Sequence, residues 1–318
     1  MISLSRSEIE ALIDLPQAAI RIEEAYRAAS LGHVNLPPVG HITFPQHNAD
    51  CHIKYGHITG KPTFVIKIAT GFPNNRDKGL QTGNGLVLVM SAENGQVEAV
   101  LHDEMVLTDI RTGLGGAIAS RLLARKDSKR VLIVGSGQQA RRQIEAHVAL
   151  LTNTAAFEVW GRNAEQADKL VARLAPVCDI ARAIDLEKAV RQADIIVTAT
   201  GSTVPLIMSD WVNEGTHITA VGADAPGKQE LDIALVRRAD VLAVDLFAQC
   251  LDHGEVSHAA KEGLIAAQDL QEIGGLLSAS TQARANAMQI TIADLTGIAA
   301  QDIAMANSVL TAWSDKAT

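Results

Sequence analysis

VLIVGSGQQARRQIEAHVALL, residues 131–151, decides the fold. Four apolar residues, Val131 to Val134, run straight into Gly135-Ser136-Gly137-Gln138-Gln139-Ala140, and a helical pattern follows. An apolar run without polar alternation suits a strand buried on both faces, as in a parallel sheet. Each small residue of the GxGxxA has a physical task. Gly135 permits the tight turn, Gly137 lets the backbone meet a pyrophosphate, and Ala140 packs helix against strand. The helix N-terminus then offers unpaired N–H groups and a positive dipole end to the phosphates. A lone motif of this kind is weak evidence; here strand and helix stand where it needs them.

Outward from this unit the pattern repeats in one direction and changes in the other. FEVW (157–160), ADIIVTATGS (193–202), THITAVGAD (216–224) and ADVLAVD (239–245) are further apolar strands. Helical stretches such as NAEQADKLVARL (163–174) separate most of them, and such alternation predicts a doubly wound parallel sheet. N-terminal to residue 128 the chain is strand-rich: HITF (41–44), HIKYGHI (52–58), TFVIKIATG (63–71) and LVLVMSAENGQVEAVLH (86–102). Asn94-Gly95 between apolar strands is a strong hairpin signal, so this sheet is expected to be mostly antiparallel. Two short helices precede it. Ser7 with Glu10 reads as a capping box for the first. Asp14 and Pro16 start the second, with Ala19, Ile22, Tyr26 and Ala29 on one face before Gly32. TDIRTGLGGAIASRLLA (108–124) reads as the linking helix, its Gly113, Gly115 and Gly116 allowing close backbone approach.

Composition narrows the function. The 318 residues carry 28 basic and 36 acidic side chains, a net charge of −8, which argues against a nucleic-acid footprint. Aromatic residues make up 3%, too few for a stacking platform, so the core must be aliphatic. No apolar run approaches the roughly 18 residues that span a bilayer, and the N-terminus has no signal-peptide pattern. Cys51, Cys178 and Cys250 are odd in number and widely spaced, which points to a cytoplasmic protein with reduced thiols. No metal site is expected; His253 and His258 flank Glu255 in HGEVSH, and read better as helix and loop surface.

The choice of dinucleotide turns on the second strand. An NAD site usually places Asp or Glu at its end to hold the ribose hydroxyls. Here the strand ends Trp160-Gly161-Arg162-Asn163, and Arg162 could clasp a 2′-phosphate instead, so NADP(H) is preferred and NAD(H) possible. For the substrate, Lys54 and Lys67 lie on neighbouring predicted strands and Arg111 near the start of the linking helix. Three cations in a net-acidic chain suggest a carboxylate-bearing substrate. Asp224 follows a predicted strand and reads either as a general acid/base or as the N-cap of the next helix.

VIKIATGFPNN, DIRTGLGGAIAS, VGSGQQARRQ, ATGS, AVGADAPGKQELD and ADLTGIAAQD, in this order, resemble the ornithine cyclodeaminase/mu-crystallin family over residues 5 to 310. The resemblance implies an α/β protein: a Rossmann domain, 113–299, and an α+β substrate and dimerisation domain, 1–112 plus 300–318. It implies a homodimer acting on a small imino, keto or amino acid. Carried over, Lys67 and Arg111 match the family's carboxylate-binding and catalytic positions, and Asp224 its catalytic aspartate. Ser136, Gly137, Gln138 and Gln139 match the phosphate loop, and Arg162, beside Asn163, matches the arginine of an NADP-type loop. Thr200 and Gly201 should line the adenosine side, and Val221, Thr296 and Gly297 the nicotinamide side.

Two departures matter. Many members carry an arginine after the proline that precedes the first strand, whereas LPPVGHI has Gly40-His41 in that region. Cyclodeaminases carry an acid where an ungapped reading puts Lys54, and a cation there would repel the ornithine ammonium. The expected function is therefore NAD(P)H-dependent reduction of a small α-imino acid, of ketimine, pyrroline-2-carboxylate or iminosuccinate type, reversible as an amino-acid dehydrogenase. The alternatives are a cyclodeaminase that forms proline with recycled NAD, and a non-catalytic crystallin-like binder of NADP(H).

Overall fold

A computed structural model describes residues 1–154, 156–280 and 282–317. They divide into two units, Met1–Arg111 with the chain from Ile298 onward, and Thr112–Gly297.

The first unit is built on one sheet: β1 (Ile2–Ser5), β2 (Val34–Asn35), β3 (Gly40–Phe44), β4 (Ala49–Ile58), β5 (Thr63–Gly71), β6 (Gly83–Ser91) and β7 (Val97–His102). The order is β1-β7-β6-β5-β4-β2, with β3 also paired to β4. Every pairing is antiparallel except β1 with β7. Alternation sorts the side chains: Thr63, Val65, Lys67 and Ala69 of β5 are buried, and the residues between them are not. The helices Leu15–Ser30 and Ala299–Ala317 pack on each other, and the latter against β4 and β5. Asp14 caps the first of them, its carboxylate accepting from the Gln17 N–H at 2.8 Å. Ala19, Ile22, Tyr26 and Ala29 are its buried face, as the spacing predicts.

One expectation at the N-terminus needs correction. Residues 2–5 form a strand, and the capping box is Ser5 with Glu8, whose carboxylate accepts from the Ser5 N–H at 2.8 Å. Two Ser-x-x-Glu frames overlap here. The earlier one prevails because the β1–β7 ladder ends at Ser5 opposite His102, which is where the chain turns into its helix.

In the second unit, eight parallel strands form one sheet: β8 (Arg130–Val134), β9 (Ala156–Trp160), β10 (Ile180–Arg182), β11 (Ile195–Thr198), β13 (His217–Ala220), β15 (Val241–Val244), β16 (Leu270–Glu272) and β17 (Thr291–Asp294). A small parallel pair, β12 (Thr203–Ile207) and β14 (Gln229–Leu231), stands apart. The order β10-β9-β8-β11-β13-β17-β15-β16 reverses direction between β8 and β11. That reversal is the switch point at which doubly wound sheets hold their ligands. Alternate residues feed two cores. Val131 and Ile133 pack with Ile144, Val159 and Val197, while Leu132 and Val134 pack with Ile196, Ile218 and Ile292. The helix Val106–Leu123 lies close to the helix Gln138–Leu150: a Cβ on Gly113 would come within 2.6 Å of the Arg142 carbonyl oxygen.

A buried polar chain threads this unit. His147 Nδ1 donates to the Gln143 carbonyl at 2.7 Å, and its Nε2 pairs with Ser120 Oγ at 2.9 Å. Ser120 Oγ meets Thr219 Oγ1 at 3.1 Å, Thr219 meets His217 Nε2 at 2.8 Å, and His217 Nδ1 meets Thr291 Oγ1 at 2.9 Å. Because the Gln143 carbonyl only accepts, His147 carries a proton on Nδ1. Burial lowers the His147 pKa to about 4. Burial, with the nearby Arg284 charge, lowers that of His217 to about 3.

Candidate active site

The inward face of the first unit's sheet carries its charged groups. Register sets Lys54 of β4 directly opposite Lys67 of β5. Lys67 is 97% enclosed and reaches Asp302 on the helix Ala299–Ala317, Nζ to Oδ1 at 2.9 Å. Arg111 approaches the same oxygen at 3.5 Å through Nε. Gln301 holds this corner: its amide donates to Tyr26 Oη at 2.9 Å and to the Arg111 carbonyl at 3.2 Å, and its Oε1 accepts from the Ile298 N–H at 3.1 Å.

The electrostatics favour one sign. Burial alone would raise the Asp302 pKa, but Lys67, Arg111 and Lys54 outweigh it and hold the group ionised, with a net lowering. Burial lowers the Lys67 pKa, helped by Arg111 and opposed by Asp302. Asp103, buried beside them, is pushed up to about 6 by its desolvation, although it accepts from the Leu107 N–H at 3.1 Å. The two residues after it, Glu104 and Met105, take left-handed φ of 47° and 74°, an unusual strain for side chains of that size. Asp302 Oδ2 is buried without a hydrogen-bond donor among the described residues. Three cations against this carboxylate leave positive charge for an incoming anion.

In the second unit, Gly135 takes φ +135°, and a Cβ there would lie 2.6 Å from the Ala199 carbonyl oxygen. Gly137 is the N-cap of Gln138–Leu150, with no side chain capping the helix and open space where its Cβ would be. Uncapped N–H groups beside an open backbone fit a dinucleotide pyrophosphate. Ser136 lies against Gly161, Gln138 is exposed and Gln139 half-buried. Arg162 is exposed at the end of β9, and no acid stands in that turn. Asn163 caps the helix Ala164–Leu174, its side-chain oxygen accepting from the Gln166 N–H at 3.1 Å.

Buried carboxylates unnoticed in the sequence fix the loops that follow the strands. Glu230 accepts from Thr198 Oγ1 at 2.7 Å, the Thr200 N–H at 2.6 Å and the Gly222 N–H at 2.9 Å, tying the ends of β11 and β13 together. Asp245 accepts from Thr296 Oγ1 at 3.1 Å and the Gly297 N–H at 2.6 Å. Thr200, Thr296 and Gly297 thus have framework partners, while Gly201 is exposed and Val221 buried at strand ends. Asp224 is exposed beyond β13 and accepts from Lys228 Nζ at 2.5 Å. No helix begins there, which removes the N-cap reading; the chain runs on into β14.

HGEVSH does not converge. Glu255 faces inward and accepts from the Glu230 and Leu231 N–H groups, while His258 pairs with the Lys228 carbonyl. Asp302 was missed because its partner Lys67 lies 235 positions away. The signal that could have found it was a carboxylate on the apolar face of a terminal helix.

The profile of the ornithine cyclodeaminase/mu-crystallin family matches residues 1–317. An archaeal alanine dehydrogenase dimer with bound NAD superposes with a TM-score of 0.91 at 33% identity, covering 100% of this chain and 97% of that one. Thermococcus litoralis Δ1-pyrroline-2-carboxylate reductase, in complex with NADH and L-proline, gives 0.93 at 27% identity, with 100% and 99% covered. The iminosuccinate reductase of Paracoccus denitrificans is 31% identical over 98% of this chain and 96% of its own. With its two-unit α/β fold and full-length match, the chain belongs to the ornithine cyclodeaminase/mu-crystallin family.

Proposed function

We propose that this protein reduces a small α-imino acid to the amino acid with a nicotinamide dinucleotide, and runs in reverse as an amino-acid dehydrogenase. The observation that carries the reading is the excess of positive charge at Asp302, which buried Lys67 and Arg111 contact and whose ionisation the half-buried Lys54 also favours. Arg111 and Lys67 bind the substrate carboxylate and fix the orientation of the adjacent Cα. Asp302 keeps both cations in place. Lys67 also polarises the C=N group, and Asp224 exchanges the proton of the imine nitrogen. A bound nicotinamide supplies the hydride. Relatives that reduce Δ1-pyrroline-2-carboxylate or iminosuccinate, or that are alanine dehydrogenases, support this chemistry.

The test is NADH and NADPH oxidation, followed by absorbance, with pyruvate, glyoxylate or oxaloacetate plus ammonia, and with Δ1-pyrroline-2-carboxylate. Turnover with at least one is expected; inactivity with all of them rejects the proposal. Proline formation from ornithine without net cofactor change is not expected, because Lys54 opposite Lys67 repels a distal ammonium.

For the cofactor we assign NADP(H) as preferred and NAD(H) as accepted, from the exposed Arg162 and the lack of an acid beside it. Arg162→Ala should raise KM for NADPH about 10- to 100-fold, the worth of a charge-assisted contact, and hardly change it for NADH. Equal effects on both cofactors remove the assignment. A homodimer built through the first unit, as the family resemblance implies, completes the proposal. No helix of the described chain is long and apolar enough to cross a membrane. Cys51, Cys178 and Cys250 are free thiols, which suits the reducing cytoplasm.

A further inference from the structure

Strands β3 and β4 bring together three side chains that are far from obvious as a group in sequence. His41 lies directly opposite His52 across the antiparallel ladder, so the two rings share a face. Asp50, two residues before His52, points to that same face. The imidazoles stack with centroids 4.4 Å apart and planes 24° from parallel. Asp50 Oδ2 lies 3.4 Å from His52 Nε2. One ligand-capable atom of each residue lies within 4.8 Å of the other two, and no other such trio occurs among the described residues.

We propose that His41, Asp50 and His52 form a binding site for a divalent transition metal of the Zn2+, Co2+ or Ni2+ class. Two imidazoles and one carboxylate are the donor set that suits borderline metals, whereas Mg2+ and Ca2+ want oxygen alone. Bonds of about 2.0–2.2 Å in tetrahedral array put donor atoms about 3.4 Å apart, so modest rotamer changes close the present spacing. The donors sit on paired strands rather than a loose loop, which fixes two of them across a single rung. Room for the carboxylate is built in on the neighbouring strand: a Cβ on Gly71 would stand 2.9 Å from Asp50 Oδ1. Stacked imidazoles repel when charged. Three protein donors leave a position for water or a substrate oxygen, as in open rather than purely structural sites. Lys54 follows on the same face two residues after His52, so the site adjoins the cationic cluster.

Tag-free protein, stripped with a chelator and dialysed, is titrated with Co2+ by absorption spectroscopy and with Zn2+ by calorimetry, with Mg2+ as the control. One Co2+ or Zn2+ per chain is expected, with visible d–d bands for Co2+ and no Mg2+ binding. His41→Ala and His52→Ala should each weaken Zn2+ binding at least about tenfold, since even outer partners of a metal site are worth 10–100-fold. Asp50→Asn should weaken it as well, and unchanged melting temperatures in all three variants show that the fold persists. Failure of the wild type to bind one equivalent overturns the proposal. So does a wild-type affinity retained in either histidine variant.

Discussion

Lys67→Met is expected to lower kcat/KM for the imino acid by about 10²–10³, the usual cost of removing one positioned electrostatic partner from a reacting group. Met fills the volume but brings no charge, and Asp302 loses its 2.9 Å ammonium partner. The carboxylate then keeps Arg111 at 3.5 Å and the influence of Lys54, and its Oδ2 is already without a donor among the described residues. Breaking a buried pair in this way should also cost about 3–5 kcal/mol of stability. The two effects are separable. NADH fluorescence titration should give an unchanged Kd, because the dinucleotide residues belong to the other unit, and urea unfolding reads the stability loss. A kcat/KM within threefold of wild type would show that Lys67 is only a structural counter-ion. Lys67→Arg retains the charge, yet its planar fork cannot replace a single ammonium at that distance, so partial activity is expected.

The second large effect is on stability in acid. His147 and His217 hold their protons off until about pH 4 and about pH 3 in the folded state, whereas an unfolded histidine takes one up near pH 6.5. A folded pKa below the unfolded one gives stability that is complete above pH 6.5 and drains away as the pH falls toward the folded values. Between pH 7 and pH 5 each histidine should therefore cost about 2 kcal/mol, at roughly 1.4 kcal/mol per unit over the titrating interval. Buried Glu255 and Asp294, raised to about 9 and about 7 by desolvation and neighbouring acids, act with the opposite sign and lose stability as pH rises. The informative quantity is thus a difference. His147→Asn should be less stable than wild type at pH 7, and the gap should narrow by about 2 kcal/mol at pH 5 in guanidinium titrations. A gap that stays constant would mean that His147 titrates normally in the fold.

The second unit was legible because its strands are buried on both faces and so appear as bare apolar runs beside a motif with a mechanism. What escaped was short. Strand β17 has four residues, Thr291–Asp294, and no turn signal separates it from the motif that follows. Strand β1 could be read only once β7 was known to lie beside it. In the site, the cations stood out against a net-acidic chain, but the carboxylates that organise them did not. Asp302, Glu230 and Asp245 act through partners distant in sequence, and their burial follows from packing rather than from local spacing. His41, Asp50 and His52 escaped for the same reason, since only the β3–β4 register makes them neighbours.

The place of β17 has a bearing on how the molecule comes into being. It lies between β13 and β15, so the centre of the eight-stranded sheet stays open until residue 294 has been made. The first unit likewise awaits its covering helix, Ala299–Ala317, whose Asp302 neutralises the buried Lys67. A ribosome that has not yet passed residue 291 has therefore released neither sheet in a closed form. Unpaired edges on β13 and β15 would stay exposed to partners until Thr291–Asp294 has been made. Termination before Thr291 should then yield an aggregation-prone chain.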